Sequence, residues 1–451
     1  MAGATLSRWT MSYFMAALVS LMCAQGLMAL GYGFPAVSIS APETLVVVHI
    51  VAIGWLSLMM CGALFQFVPV LVARPIHSNS LPLPALIFLL AGLSALLFGF
   101  LQLAGQIGSE LMFFPAAAAL LVLGFALVLW NLGRTLWAAR PLPLSARFVA
   151  VGLFSVATTV IFGSIFAFVL GGTTADPHLL DVAAFGLPIH IVAGLGGWLT
   201  FTAMGVNYRL LAMFMLAPDL NGASVRGVFY FGTAALAIVV VGGAAAICNE
   251  ASLTLVLTLG AAVGASALAL YGRDIAYLYH ARKRRQIELN SRMAAVALVN
   301  LAAVVFLTAA FFAAGELEQH AAALVFLASF GWLSAFGLSQ LYKIVAFVTW
   351  LESYGPVLGK MPTPRVQDLV VESRAVKWFF LYFAAVWIAS VCLFMGFSTV
   401  FRAAAAAMLT ATVGIVVQLA RTRLLADVKP VLRLHGQVPT PHLLRSFAQN
   451  A

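Results

Sequence analysis

The sequence predicts an all-α polytopic membrane protein: about twelve transmembrane helices in three pseudo-symmetric four-helix arcs, with both termini cytoplasmic. Three observations predict it. Of 451 residues, 63% are hydrophobic and only 8% charged, against roughly 25% charged in soluble domains. Mean hydropathy is +1.05. A backbone in lipid must satisfy its own polar groups, which leaves helices or a closed barrel. The second observation chooses between them: the apolar runs reach ~20 residues or more and do not alternate, as barrel strands would. The third is the sign of the loop charges, which changes from loop to loop.

The spans are expected at 11–36, 43–73, 82–104, 109–138, 145–172, 181–216, 224–247, 251–279, 291–314, 318–351, 374–395 and 399–424. Arg8 precedes the first. The even-numbered loops carry Arg74; Arg140 and Arg147; Arg226; Arg282 to Arg285; and Lys360, Arg365 and Arg374. Arg421, Arg423, Lys429 and Arg433 follow the last span. The other loops carry Glu110, Asp176, Asp181, Glu250, Glu316 and Glu318, with Arg402 as the exception. Under the positive-inside rule both termini face the cytoplasm, and the expected location is a bacterial inner membrane. The net charge of +10 sits in these loops, so the expected partner is the bilayer and not nucleic acid. The first run is too long for a cleaved signal and reads as a retained span. No linker divides the chain: residues 1–424 read as one membrane domain and 425–451 as a polar cytoplasmic tail, either lying on the surface or mobile. None of the four cysteines belongs to a CxxCH motif, so c-type haem attachment is not expected.

An internal repeat organises the spans. GWLSLMMCGALFQFVPVLVA at 54–73 matches GWLTFTAMGVNYRLLAMFML at 197–216 and GWLSAFGLSQLYKIVAFVTW at 331–350. Counted from Trp55, Trp198 and Trp332, seven residues on stand Gly62, Gly205 and Ser339. Ten on stand Phe65, Tyr208 and Tyr342, and eleven on Gln66, Arg209 and Lys343. These are spans two, six and ten (repeat helices near 43–73, 181–216 and 318–351), so the unit is four helices, present three times. Repeats in membrane folds place sites at their interfaces. Eleven residues at 100° each return to within ~20° of the same face. Gln66, Arg209 and Lys343 therefore read as inner-end anchors whose long side chains snorkel. They also read as polar, propionate or proton contacts, as does Tyr342 beside Lys343, because intramembrane polar groups mark function.

Of eight histidines, five lie in loops or the tail. The other three, His49, His190 and His320, stand one per repeat helix, each toward the outer end. An imidazole in lipid is costly unless hydrogen-bonded across helices or ligated, and neutral imidazole is the common axial ligand of haem iron.

Twelve spans, three four-helix arcs and histidines on spans two, six and ten resemble subunit I of the haem-copper oxidase superfamily. The chain looks like a stand-alone, divergent member. The resemblance implies that His49 and His320 clamp a low-spin haem and that His190 faces a catalytic pocket. The family's copper-site His-His pair on span seven has no counterpart in 224–248, which contains no histidine. The family's HxH on span ten is here Glu318-Gln319-His320, and no HPxxY element occurs. Copper is therefore not expected. His49 precedes its tryptophan by six residues, His190 by eight and His320 by twelve. At ~1.5 Å per residue, His320 stands ~9 Å further out than His49, whereas His49 and His190 differ by ~3 Å. Two pairings stay open: His49 with His320, as the resemblance implies, or His49 with His190, as depth prefers.

The expected function is a haem-binding membrane cytochrome. It would hold one to three haems, b-type, for electron transfer from a quinol or cytochrome c, or for binding NO or O2. Alternatives are a catalytic subunit like nitric oxide reductase or a terminal oxidase, which would be an oxidoreductase, and a non-haem transporter. No catalytic residue is identified. The small-residue run Ala403 to Ala407 suits association with a second copy.

Overall fold

The computed structural model describes residues 7–108, 112–433 and 441–446. Among them twelve helices are long and apolar enough to cross a membrane, and no strand occurs. They are spans 1 to 12 below: Thr10–Leu30, Pro42–Val72, Pro82–Leu103, Phe113–Ala138, Leu144–Leu170, Leu187–Met215, Ala223–Cys248, Leu253–His280, Leu289–Ala314, Leu317–Val357, Glu372–Met395 and Ser398–Arg423. Most ends fall within a few residues of expectation. Span 1 stops at Leu30 and not at 36, because Gly31 adopts φ +83° and closes the helix with a left-handed cap. Span 6 begins only at Leu187. A separate helix, Pro177–Phe185, precedes it, capped by Asp176 accepting from the His178 and Leu179 amides. Pro188 then restarts the chain at the first turn of span 6, where a missing N–H costs nothing. Glu110 and His435 lie outside the described residues.

The helices form two compact units, residues 1–66 with 287–451, and residues 67–286. The repeat helices are the most enclosed. Spans 2, 6 and 10 are 72%, 56% and 78% buried, against 11–44% for the other nine. Each repeat helix also contains a π-helical stretch over its Gly-Trp pair: Ile50–Ser57, Val192–Phe201 and Leu327–Ser334. Such wide turns are rare and concentrate at functional positions.

In the first unit, span 1 packs on span 2 at Gly62, where a Cβ would lie 2.7 Å from Tyr13 Cβ. The carbonyls of the span 10 π stretch are met by side chains. Ser334 Oγ donates to Ser329 C=O at 2.6 Å, Tyr382 Oη to Phe330 C=O at 3.1 Å, and Asn300 Nδ2 to Gly331 C=O at 2.8 Å. Trp55 Nε1 donates to Ser334 Oγ at 2.8 Å and so ties the π stretches of spans 2 and 10 together. A buried amide or hydroxyl left without such partners would cost ~1–3 kcal/mol. The tail is docked on this unit. Asp427 bonds Arg374 and Arg421 at 2.7 and 2.6 Å. Arg423 pairs with Glu352 at 2.7 Å and donates to the carbonyls of His442 and Arg445.

In the second unit, span 5 closes on span 6 at Gly205, where a Cβ would lie 2.3 Å from Phe148 Cβ. Spans 6 and 8 join through a polar lattice. Asn207 Nδ2 donates to Tyr271 Oη at 2.6 Å and Tyr208 Oη to Asp274 Oδ2 at 2.9 Å.

Candidate haem-ligand histidines

His49 ends the α-helical start of span 2, immediately before its π stretch. Its Nδ1 lies 2.8 Å from Leu45 C=O, one turn back. A carbonyl only accepts, so Nδ1 carries the proton and the lone pair of the neutral ring sits on Nε2. His190 repeats this arrangement in the other unit. It stands two residues before the π stretch of span 6, and its Nδ1 lies 3.0 Å from Thr159 C=O on span 5. Phe166 meets the ring edge-to-face at 5.3 Å. A Cβ on Gly163 would approach His190 Cε1 to 3.3 Å, so the glycine makes room for the imidazole. An Nδ1–H held by a carbonyl, with Nε2 basic, is the arrangement in which proteins present histidine to a metal.

His320 is placed differently. It lies in the α-helical start of span 10, seven residues before the π stretch. Its ring packs against Phe311 of span 9 at 4.2 Å and Phe394 of span 11 at 5.6 Å. Its Nε2 is 3.7 Å from the Glu316 carboxylate. The nitrogen that His49 and His190 keep basic is, in His320, turned to an acid.

Gln66, Arg209 and Lys343, eleven residues after the tryptophans, take three separate environments. Gln66 is buried and accepts from the Ser7 amide at 3.2 Å. Arg209 forms a half-exposed pair with Asp219 at 2.7 Å. Lys343 pairs with Glu288 at 2.5 Å, both side chains being about nine-tenths enclosed. Tyr342 stacks edge-on against Phe379, and it shares with Lys343 a small recess also lined by Asn290, Gln367 and Glu372.

Three features went unread in the sequence. The serine or threonine two residues after each tryptophan (Ser57, Thr200, Ser334) is visible in the aligned repeats, and in Ser334 it caps the π turn. The acid Asp274 inside span 8 is signalled by Arg273-Asp274 in an otherwise apolar run. Gln25 of span 1 is fully buried with both amide ends unpartnered. Span 1 runs antiparallel to span 2: the Ser7 amide meets Gln66, Tyr13 meets Gly62, and Gly33, just beyond span 1, meets Thr44. That register brings Gln25 level with the residues around His49. Among the described residues, no group of three or more His, Cys, Asp or Glu side chains could hold a metal ion. No protein-family model matches this chain, and no curated protein matches it.

Proposed function

We propose that the chain is a haem-binding integral membrane cytochrome built on an oxidase-like scaffold, with His49 of the first unit and His190 of the second each a candidate haem ligand in its own unit. The observation that carries this reading is the shared pose of these two imidazoles. Each gives its Nδ1 proton to a carbonyl at the mouth of a π stretch. The donor set fits haem: neutral imidazole of fixed tautomer, apolar walls, and no need for a further charge. Gln25 adds support, since a wholly buried amide without a partner calls for a polar group from outside the chain. Bound haem would supply a one-electron couple and a site for a diatomic gas. The protein's part is to hold the rings, fix which nitrogen is basic, and keep water out with the enclosed repeat helices.

On this reading the base-rich loops put both termini in the cytoplasm of a bacterial inner membrane, and the spans form three four-helix arcs. The electron donor is a quinol or a cytochrome c. The purified protein will show a b-type pyridine haemochrome, with iron and no stoichiometric copper on metal analysis. A preparation folded by circular dichroism yet free of haem, after expression with haem in excess, would sink the reading.

A further inference from the structure

Six bases of the first unit are matched with acids: Lys343 with Glu288, Arg292 with Glu372, Arg365 with Asp368, Arg374 and Arg421 with Asp427, and Arg423 with Glu352. One stretch of the second unit is built the other way. Between residues 67 and 175 the sequence holds a single acid, Glu110, which precedes span 4. The four arginines of this stretch, Arg74, Arg134, Arg140 and Arg147, are all exposed, and none has an acidic partner among the described residues. They gather at the C-terminal end of span 4. Arg134 lies in its last turns and Arg140 two residues beyond it. Arg147 opens span 5. Arg74 leads a turn that span 4 holds firmly: His77 N–H donates to Thr135 Oγ1 at 2.9 Å, and Ser78 exchanges two bonds with the Asn131 amide at 2.9 and 2.8 Å.

Asn131 and Thr135 occupy the buried face of span 4. Its outer face carries Trp130, Arg134 and Trp137 at i, i+4 and i+7, which share one side of a helix. The indoles are 57% and 62% exposed. Arg134 lies over Trp130 at 5.5 Å from the ring centroid, and Arg140 over Trp137 at 3.5 Å. Cation–π attraction holds each guanidinium over its indole. The same face continues up the span as exposed Leu123, seven residues before Trp130.

We propose that this stripe is a binding site for an anionic phospholipid. An occupant must offer negative charge to the arginines and an apolar body to Trp130 and Leu123. A phospholipid does both, with its phosphate across Arg134 and Arg140 and an acyl chain along the upper face. A soluble acidic segment matches only the charged half. Each base near a membrane surface strengthens attachment of anionic lipid about fivefold, so the stripe confers a preference and not merely contact.

The test is native mass spectrometry of the full chain, delipidated in detergent and titrated with phosphatidylglycerol or phosphatidylcholine. Wild type should bind phosphatidylglycerol at least tenfold more tightly. Arg134→Gln with Arg140→Gln should erase most of that preference, while Arg365→Gln, at an exposed paired base, should leave it intact. Equal melting temperatures of all three proteins in phosphatidylcholine will show that the variants fold. No preference in wild type, or a preference unmoved by the double variant, would overturn the proposal. So would capture of an acidic protein through these arginines without selective lipid binding.

Discussion

The first two copies of the repeat differ from the third at the histidine before the tryptophan and at the small residue seven positions after it. Before the tryptophan, His49 and His190 adjoin the π stretch and give Nδ1–H to a carbonyl, whereas His320 sits a further turn and a half away, wedged between phenylalanines beside Glu316. At the position seven residues after the tryptophan, Gly62 and Gly205 allow the preceding span to touch backbone, whereas Ser339 spends its hydroxyl on its own helix at Phe336 C=O. Eleven residues after the tryptophan all three copies differ: Gln66 is buried on the Ser7 amide, Arg209 forms a half-exposed pair and Lys343 an enclosed one. Equal sequence spacing thus does not give equal chemistry. The copies share a scaffold of buried tryptophan and π turn, and what hangs on it has diverged.

The sharpest way to break this comparison is Gly163→Val. Its side chain would occupy the space of the His190 ring, push Nδ1 from Thr159 C=O, and reduce haem retention at that ligand by at least ~10-fold, as loss of an orienting partner does; haem-to-protein absorbance ratios check it. Next comes charge removal at Lys343 and Arg209. Lys343→Met takes the cation from a largely enclosed Glu288 and should cost up to ~3 kcal/mol. Arg209→Met at the exposed pair should cost under ~1 kcal/mol. Equal losses in denaturant titration would mean the two pairs are not different after all. Smaller again is the small-residue position. Gly62→Ala and Gly205→Ala should each lose ~1–3 kcal/mol to overpacking, and Ser339→Ala under ~1.5 kcal/mol for one local hydrogen bond.

The smallest effect is one of pH. Arg421, with Arg374, holds the Asp427 carboxyl below the usual carboxylate range. A depressed folded-state value stabilises above the unfolded value of ~3.9 and is lost as pH falls through the folded one. Tail docking should therefore be unchanged from pH 8 to 5 and loosen only in stronger acid. Hydrogen exchange of the amides in 425–433 reads this directly, and loosening near pH 6 would contradict it.

Twelve spans and their approximate ends were legible because apolar runs of this length admit one solution in lipid. Three ends lie six residues from expectation: two turned on Gly31 and Pro188, local stops inside apolar sequence, and span 10 runs on to Val357. The repeat was legible from three tryptophans, and the histidines from their rarity in such runs. The pose of each imidazole was not, because it depends on a carbonyl: one turn back for His49, on another helix for His190. The π turns were hidden for a related reason. They are stabilised by donors such as Tyr382 and Asn300, far away in sequence. Of the basic stripe on span 4, Arg140 is legible as a loop charge, whereas Arg134 lies inside the span and its place over Trp130 shows only in the fold.

The central claim is that His49 and His190, and not His320, hold haem. The most direct measurement compares haem content of His49→Ala, His190→Ala and His320→Ala, prepared side by side and normalised to protein. The account predicts loss or a marked spectral change in the first two and a spectrum like wild type in the third. Loss of haem in His320→Ala, with His190→Ala unchanged, would contradict it.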